Sequence, residues 1–194
     1  MRIEEVITET IIAIYQDRTA AAYLRLKGGS AMRLFDDLKS RLSTDADFSI
    51  SKGIENKKDF FSGIKSSIAR RFQKVGFNII DFKCERRPRS RRADLPVWWG
   101  GWQCEFKLVA FEHRGKSIET MRRNAMVPEG AGSPKILLEI SEYEYCGKKR
   151  VKTIQRVRIA GYSRELLVLE KMRAICQQHS DYKYRLSKNR ARLL

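Results

Sequence analysis

Apolar and polar residues recur with two different periods along this chain, and the change between them falls near Gly76. Before that glycine, apolar residues repeat three and four positions apart, which is the spacing of an amphipathic helix. The same spacing returns near the C-terminus, where Leu166, Leu169, Met172 and Cys176 lie along one side of a predicted helix. The pattern predicts helices over 3–16, 31–38, 60–72 and 163–178.

Strand-like segments form the other part of the pattern. One short segment lies early in the chain, and the others follow Gly76. Strands are predicted over 45–50, 77–84, 102–111, 136–145 and 151–159. This order predicts an α+β fold in which a mixed or antiparallel sheet is flanked by helices and closed by a C-terminal helix. We expect one domain over 1–160 and a helical segment over 161–194.

Two carboxylates stand on the early strand. Side chains alternate along a strand, so Asp45 and Asp47 share one face while Ala46 and Phe48 share the other. Neighbouring carboxylates repel each other unless a cation lies between them, and hard oxygen ligands suit Mg²⁺. A magnesium ion held there could bridge triphosphate oxygens and favour attack by a hydroxyl group.

A pair of glycines precedes these carboxylates. Gly28 and Gly29 allow close approach of the backbone to a ligand, and Ser30, fifteen residues before Asp45, begins the second predicted helix. The N–H groups at a helix N-terminus form an anion site. The glycine corner and the carboxylates together predict a site for a triphosphate and its metal ion.

These two stretches, 26–34 and 41–48, resemble the opening signature of the AbiEii-type nucleotidyltransferases. That signature reads Gly-Gly-Ser/Thr-Ala-Leu and then Arg-x-Ser-x-Asp-x-Asp-Phe. The resemblance implies a polymerase-β-like nucleotidyltransferase domain that acts as the toxin of a bacterial type IV toxin–antitoxin or phage-defence system, neutralised by an antitoxin protein. It implies Mg²⁺ or Mn²⁺ as cofactor and a nucleoside triphosphate as substrate. The residues so implied are Asp45 and Asp47 as metal ligands and Gly28, Gly29, Ser30, Arg41 and Ser43 at the nucleotide.

Two later stretches also resemble this family. Residues 136–141 resemble the strand that brings an additional acidic residue, which here is Glu139, as a metal ligand and catalytic group. Residues 165–175 resemble the helix that contains Glu-Lys-x-x-Ala, which places Lys171 at the nucleotide phosphates. Family members usually continue with Arg-x-Arg-Asp-x-x-Asp, whereas this chain ends at Leu194, so the C-terminal segment is expected to be shorter than in the family.

Charge adds a partner to this interpretation. Lysine and arginine total 40 against 23 aspartate and glutamate residues, a formal net charge of +17. Such an excess attracts polyanions, so we expect RNA as the acceptor, and the resemblance implies tRNA. A basic segment between two predicted strands is the candidate nucleic-acid surface, and Trp98, Trp99 and Trp102 follow it as stacking surfaces. Its arginines are Arg86, Arg87, Arg89, Arg91 and Arg92.

Other sequence features narrow the setting. No stretch approaches the roughly 20 apolar residues of a membrane helix, and the first residues lack the pattern of a signal peptide, so a cytoplasmic protein is expected. The four cysteines include no CxxC pair, which argues against structural zinc and favours free thiols in a reducing compartment.

Two other functions are compatible with the sequence. Glu105 and Lys107, with Asp94 upstream, imitate the D…ExK arrangement of metal-dependent nucleases. A catalytically decayed transferase that only binds nucleic acid is the second alternative. Within the transferase hypothesis, the third carboxylate is either Glu139 or Glu105.

Overall fold

The fold is described by a computed structural model for residues 1–37, 43–89 and 100–179, and within these ranges it contains six α-helices and a seven-stranded sheet. The helices are α1 (Ile3–Gln16), α2 (Arg18–Tyr23), α3 (Gly28–Asp36), α4 (Lys57–Gln73), α5 (Ile118–Arg123) and α6 (Arg164–Cys176). The strands are β1 (Arg25–Lys27), β2 (Asp45–Ser49), β3 (Phe77–Arg87), β4 (Gly101–Ala110), β5 (Ile136–Ser141), β6 (Lys149–Ile154) and β7 (Val157–Tyr162).

The strands are ordered β3-β4-β5-β2-β1-β7-β6. β2 lies near the middle, antiparallel to β1 and parallel to β5. The outer pairs, β3 with β4 and β6 with β7, are antiparallel. The predicted α+β fold with a mixed sheet is therefore confirmed, and β2 is placed where both of its neighbours can add side chains to the same face.

The core lies on one face of this sheet, under α1 and α4. Ala46 and Phe48 of β2 are fully buried there, together with Ile11 of α1 and Ile64 and Ile68 of α4. Burying a side chain of this size contributes roughly 1.5–3 kcal/mol. Since the alternate residues of β2 point away from this core, the opposite face of the sheet is available for polar chemistry.

Four of the helices and most strands begin and end close to the predicted positions. The predicted strand over 151–159 is instead a hairpin, because Gln155 and Arg156 adopt φ values of 47° and 65° and reverse the chain between β6 and β7. Two short helices, α2 and α5, and the three-residue strand β1 have too few residues to show a period. The predicted basic loop starts later than expected, since β3 continues to Arg87.

The last helix differs from the prediction in the face that it buries. Leu169 and Met172 are 58% and 56% exposed, and Val168 and Ile175 are similarly open. Leu167 is the buried residue of α6. The helix therefore packs through Leu167 and the half-buried Leu166, whereas Leu169 and Met172 of the predicted line are open to solvent.

The cysteine prediction is wrong for two of the four residues. Cys84 of β3 and Cys104 of β4 are partners in the strand register, and their sulfur atoms are joined at 2.09 Å. Sequence spacing could not indicate this pair, because it depends on which strands become neighbours. Cys146 and Cys176 have free thiols.

None of the helices within the described ranges is long and apolar enough to cross a membrane.

Candidate active site

A glycine corner forms the floor of the site. β1 ends at Lys27, and α3 begins at the next residue, Gly28, whose φ is +66°. A Cβ atom on Gly28 would overlap the carboxylate of Asp47. Glycine is required here both by the backbone conformation and by the space that Asp47 occupies. The glycine corner and the β2 carboxylate are therefore in direct contact.

Three carboxylates lie on the polar face of the sheet, on the neighbouring strands β2 and β5. Asp45 and Asp47 share one face of β2, and Glu139 of β5 is the register partner of Asp47. Burial, followed by the negative charges of Asp45 and Glu139, raises the pKa of Asp47 to about 7, while Lys27 and Lys171 act in the opposite direction. The sequence-predicted residues Asp45, Asp47, Glu139 and Lys171 are thus close enough to act on one another.

The donor set suits a metal that is completed by its substrate. Within the described residues, no three His, Cys, Asp or Glu side chains are grouped so as to hold a metal ion by themselves. Mg²⁺ commonly uses one or two carboxylates and fills its remaining positions with water and substrate phosphates. Asp45 and Asp47 fit that pattern, and the raised pKa of Asp47 beside a second carboxylate marks an environment that a divalent cation relieves.

Two serines fix the position of the first aspartate. The Ser30 side chain is fully buried, and its hydroxyl donates to the carbonyl oxygen of Asp45 at 2.7 Å. The Ser43 hydroxyl lies 3.0 Å from the Ser30 hydroxyl and 3.2 Å from the same carbonyl oxygen. These contacts join the start of α3 to the start of β2. The N–H groups in the first turn of α3 have no acceptor within the helix, so they can donate hydrogen bonds to a ligand. Arg41 lies outside the described residues.

Sequence reasoning missed an ionic cluster beside the corner. The Lys27 ammonium group lies 2.5 Å from the Glu144 carboxylate and 3.1 Å from the Ser141 hydroxyl. Glu144 also accepts a hydrogen bond from Ser49 and one from the Tyr162 hydroxyl at 3.4 Å. Burial acts to raise the pKa of Glu144, but Lys27 and these hydrogen bonds outweigh it and hold the pKa below its ordinary value. The one sequence signal for this ionic cluster was the position of Lys27, directly before the glycine pair.

The helix that carries Lys171 is tied to the site by ion pairs. Arg173, two positions after Lys171 on α6, lies 3.4 Å from the Glu144 carboxylate. At the other end of α6, Arg164 pairs with Asp36 at 2.7 Å, and Arg150 of β6 binds the same carboxylate through two nitrogens at 2.6 and 2.7 Å. The hydrogen bonds of Arg150, followed by those of Arg164, hold the pKa of Asp36 well below its ordinary value.

The residues of the nuclease alternative are engaged in other contacts. Glu105 pairs with Lys83 at 3.3 Å and with Lys135 at 3.4 Å, and Lys107 pairs with Asp81 at 2.8 Å. Leu137 separates Glu105 from Asp45 in the strand register, whereas Glu139 is adjacent to Asp47. The geometry therefore favours Glu139 over Glu105 as the third carboxylate. Asp94 lies outside the described residues.

Three arginines of the basic segment lie within the described residues, and each has a carboxylate or amide partner. Arg86 pairs with the buried Glu142, Arg87 donates to Gln103 at 2.9 Å, and Arg89 reaches Glu85 at 2.5 Å. Arg91, Arg92, Trp98 and Trp99 lie outside the described residues.

Two solved structures from H. pylori are similar to this one. The structure resembles a candidate nucleotidyltransferase from H. pylori, with 19% identity, a TM-score of 0.49 and coverage of 97% of this chain and 62% of that one. It also resembles JHP933 from Helicobacter pylori, with 19% identity, a TM-score of 0.50 and coverage of 96% and 60%. The likeness to JHP933 shows a shared fold, and the chain spans about three fifths of the length of each of these proteins.

A family comparison makes the assignment more specific. Residues 11–192 match the model of the nucleotidyl transferase AbiEii toxin of type IV toxin–antitoxin systems. This chain belongs to that family, which confirms the resemblance carried by the glycine corner and the paired aspartates. Among curated proteins there is no match.

Proposed function

We propose that this protein transfers a nucleoside monophosphate from a nucleoside triphosphate to a hydroxyl group of RNA, as a toxin controlled by an antitoxin protein. The observation that carries the proposal is the contact between Gly28 and the Asp47 carboxylate, with Asp45 and Glu139 beside it. A phosphate-binding corner and a metal-binding carboxylate pair are the two parts that phosphoryl-group transfer requires.

In this proposal each group has a separate role. The N–H groups at the start of α3 hold the triphosphate, and Asp45 and Asp47 hold Mg²⁺, with Glu139 adjacent. A metal ion bound there would neutralise negative charge on the phosphate oxygens. The oxygen of the acceptor hydroxyl group attacks the α-phosphorus and gives up its proton to solvent, the bond from that phosphorus to the bridging oxygen breaks, and pyrophosphate leaves. Lys171 and Lys27 offset the negative charge that grows in the transition state.

The choice of acceptor and partner follows from charge and family. A net charge of +17 favours a polyanionic acceptor, for which RNA, and tRNA in particular, is our proposal. The toxin–antitoxin family implies an antitoxin as partner.

The test is incubation with each labelled nucleoside triphosphate, Mg²⁺ and total RNA. We expect label in RNA with the wild-type protein and at least a hundred-fold less, or about 3 kcal/mol of lost transition-state stabilisation, with Asp45→Asn. Asp37→Asn is the matched control, because Asp37 has an exposed side chain and a positive φ that asparagine tolerates. Absence of transfer with every triphosphate, or equal transfer by Asp45→Asn, would refute the proposal.

A further inference from the structure

A groove lies along one edge of the sheet, between α4 and β3, which is one of the two edge strands among those described. It is open to solvent and has a volume of about 430 Å³. Four lysines and two phenylalanines dominate its lining, in an arrangement that combines positive charge with aromatic surface. These residues are Lys57, Lys58, Lys65, Lys83, Phe61 and Phe82.

The charge of the groove is largely unneutralised. Lys57, Lys58 and Lys65 are exposed on α4, and none of them has a carboxylate partner within the described part of the chain. Lys83 is shared between Glu105 at 3.3 Å and Glu85 at 3.6 Å. The arginines of β3 are paired with carboxylates, so the free positive potential of this edge lies in the groove and comes from α4.

The aromatic part of the groove is held in place by packing. Phe61 and Phe82 are both half-buried, with part of each ring open to solvent. The Phe61 ring lies 5.0 Å from the Trp102 ring, and the Lys57 ammonium group stands 5.6 Å over the same tryptophan. Packed rings beside exposed lysines suit a strand whose bases stack on the rings while its phosphates are neutralised by the ammonium groups.

We propose that this groove binds single-stranded RNA and forms the path by which an acceptor strand approaches the carboxylates. Delivery of an acceptor strand to the carboxylates rests on the proposed transferase function. Binding of single-stranded RNA in the groove does not depend on that function. An unpaired strand is specified because only unstacked bases can reach aromatic side chains, whereas the bases of an RNA helix are stacked on one another.

The sheet register connects the groove to the site. Lys83, Glu105, Leu137 and Asp45 are successive partners across β3, β4, β5 and β2. Neighbouring strands are about 4.8 Å apart, and β3 is three strands away from β2. The backbone of Lys83 therefore lies about 14 Å from the backbone of Asp45. At the stacked rise of about 3.4 Å for each nucleotide a strand covers that distance with about four nucleotides, and an unstacked, more extended strand needs fewer. One short single strand can therefore occupy the groove and present its end at the carboxylates.

The test measures binding of a fluorescent single-stranded RNA of about twelve nucleotides, without triphosphate, over a range of salt concentrations. We expect Lys58→Gln with Lys65→Gln to weaken binding about ten-fold at low salt. The slope of log K against log salt should fall by about 1.4, because each phosphate contact on a single strand contributes about 0.7. An abasic oligonucleotide of the same length should bind at least ten-fold more weakly than the RNA.

The matched control is Lys74→Gln with Lys148→Gln, which removes the same charge from two exposed lysines outside the groove. This control should leave the affinity within two-fold and the slope unchanged. Equal weakening by both double variants, equal affinity for the abasic strand, or groove-dependent binding of polyglutamate in place of RNA would overturn the proposal. In the transfer assay the groove variant should raise the KM for RNA and leave the KM for triphosphate unchanged. Because binding is measured without turnover, its failure is distinct from failure of transfer.

Discussion

At the scale of single residues, the site depends on a position that has no side chain. Gly28 has a positive φ and lies against the Asp47 carboxylate, so it meets two independent requirements. The positive φ of Gly28 turns the chain directly from β1 into α3, with no loop between them. A larger residue would have to displace the carboxylate that the proposed metal ion needs.

Gly28→Ala should therefore be more harmful than an ordinary glycine substitution. Alanine at a positive φ costs about 1–2 kcal/mol, and the overlap with Asp47 adds to this cost. Gly76→Ala is the control, because Gly76 has a φ of +86° and open space around its Cα atom. Urea unfolding should show the larger loss for Gly28→Ala, with transfer activity lost only in that variant. An equal loss of stability in both variants would show that the Asp47 contact has no energetic weight.

The same residue scale shows where sequence reasoning succeeded. Asp45 and Asp47 could be placed on one face because strand alternation is a local property. The pair formed by Lys27 and Glu144 could not be predicted, since the two residues are 117 positions apart and meet only after β1, β2 and β5 are assembled. The role of Ser30 at the nucleotide stays a prediction, and its hydrogen bond to the carbonyl oxygen of Asp45 could not be read from local spacing, since the two residues meet only after α3 packs against β2.

At the scale of elements, α6 is held mainly by its polar residues. One apolar side chain, Leu167, is buried, while Arg173 and Arg164 reach carboxylates on other elements. Helical periodicity predicted a different face, because it identifies apolar residues but not whether another element covers them. The position of Lys171 thus depends on ion pairs, and Glu144 is the residue that connects α6 to Lys27.

Glu144→Gln should loosen this connection in a way that depends on pH. The pKa of Glu144 is lowered on folding, so its contribution to stability is present above its unfolded pKa of about 4.3 and is lost as pH falls through the folded value. At pH 7 we expect a loss of about 1–3 kcal/mol, since a charge-assisted hydrogen bond to Lys27 is removed. Thermal unfolding at pH 7 and in strong acid measures the difference.

The control for this change is Glu55→Gln, whose carboxylate is 86% exposed and pairs with Lys52. It should alter stability by less than about 0.5 kcal/mol at either pH. If Glu144→Gln were as harmful in strong acid as at pH 7, the lost shape of the side chain rather than its charge would account for the effect.

At the scale of the whole molecule, the sheet separates packing from chemistry. One face carries the core under α1 and α4, and the other carries the carboxylates, with the lysine groove at the edge where the faces meet. The alternation of apolar and polar residues predicted this separation, whereas the strand order that brings β5 beside β2 depends on contacts between distant segments.

This arrangement predicts that a metal–triphosphate complex stabilises the entire chain. A ligand at one hundred times its Kd adds about 2.7 kcal/mol, which for a domain of this size raises Tm by about 5–10 °C. With Mg²⁺ and a non-hydrolysable triphosphate, the increase should be larger at pH 8 than at pH 6, because the pKa of Asp47 is about 7 and metal binding requires the ionised carboxylate. Asp45→Asn should abolish the increase and Asp37→Asn should preserve it. An equal increase with the metal chelated would mean that the triphosphate binds through α3 alone, without the carboxylates.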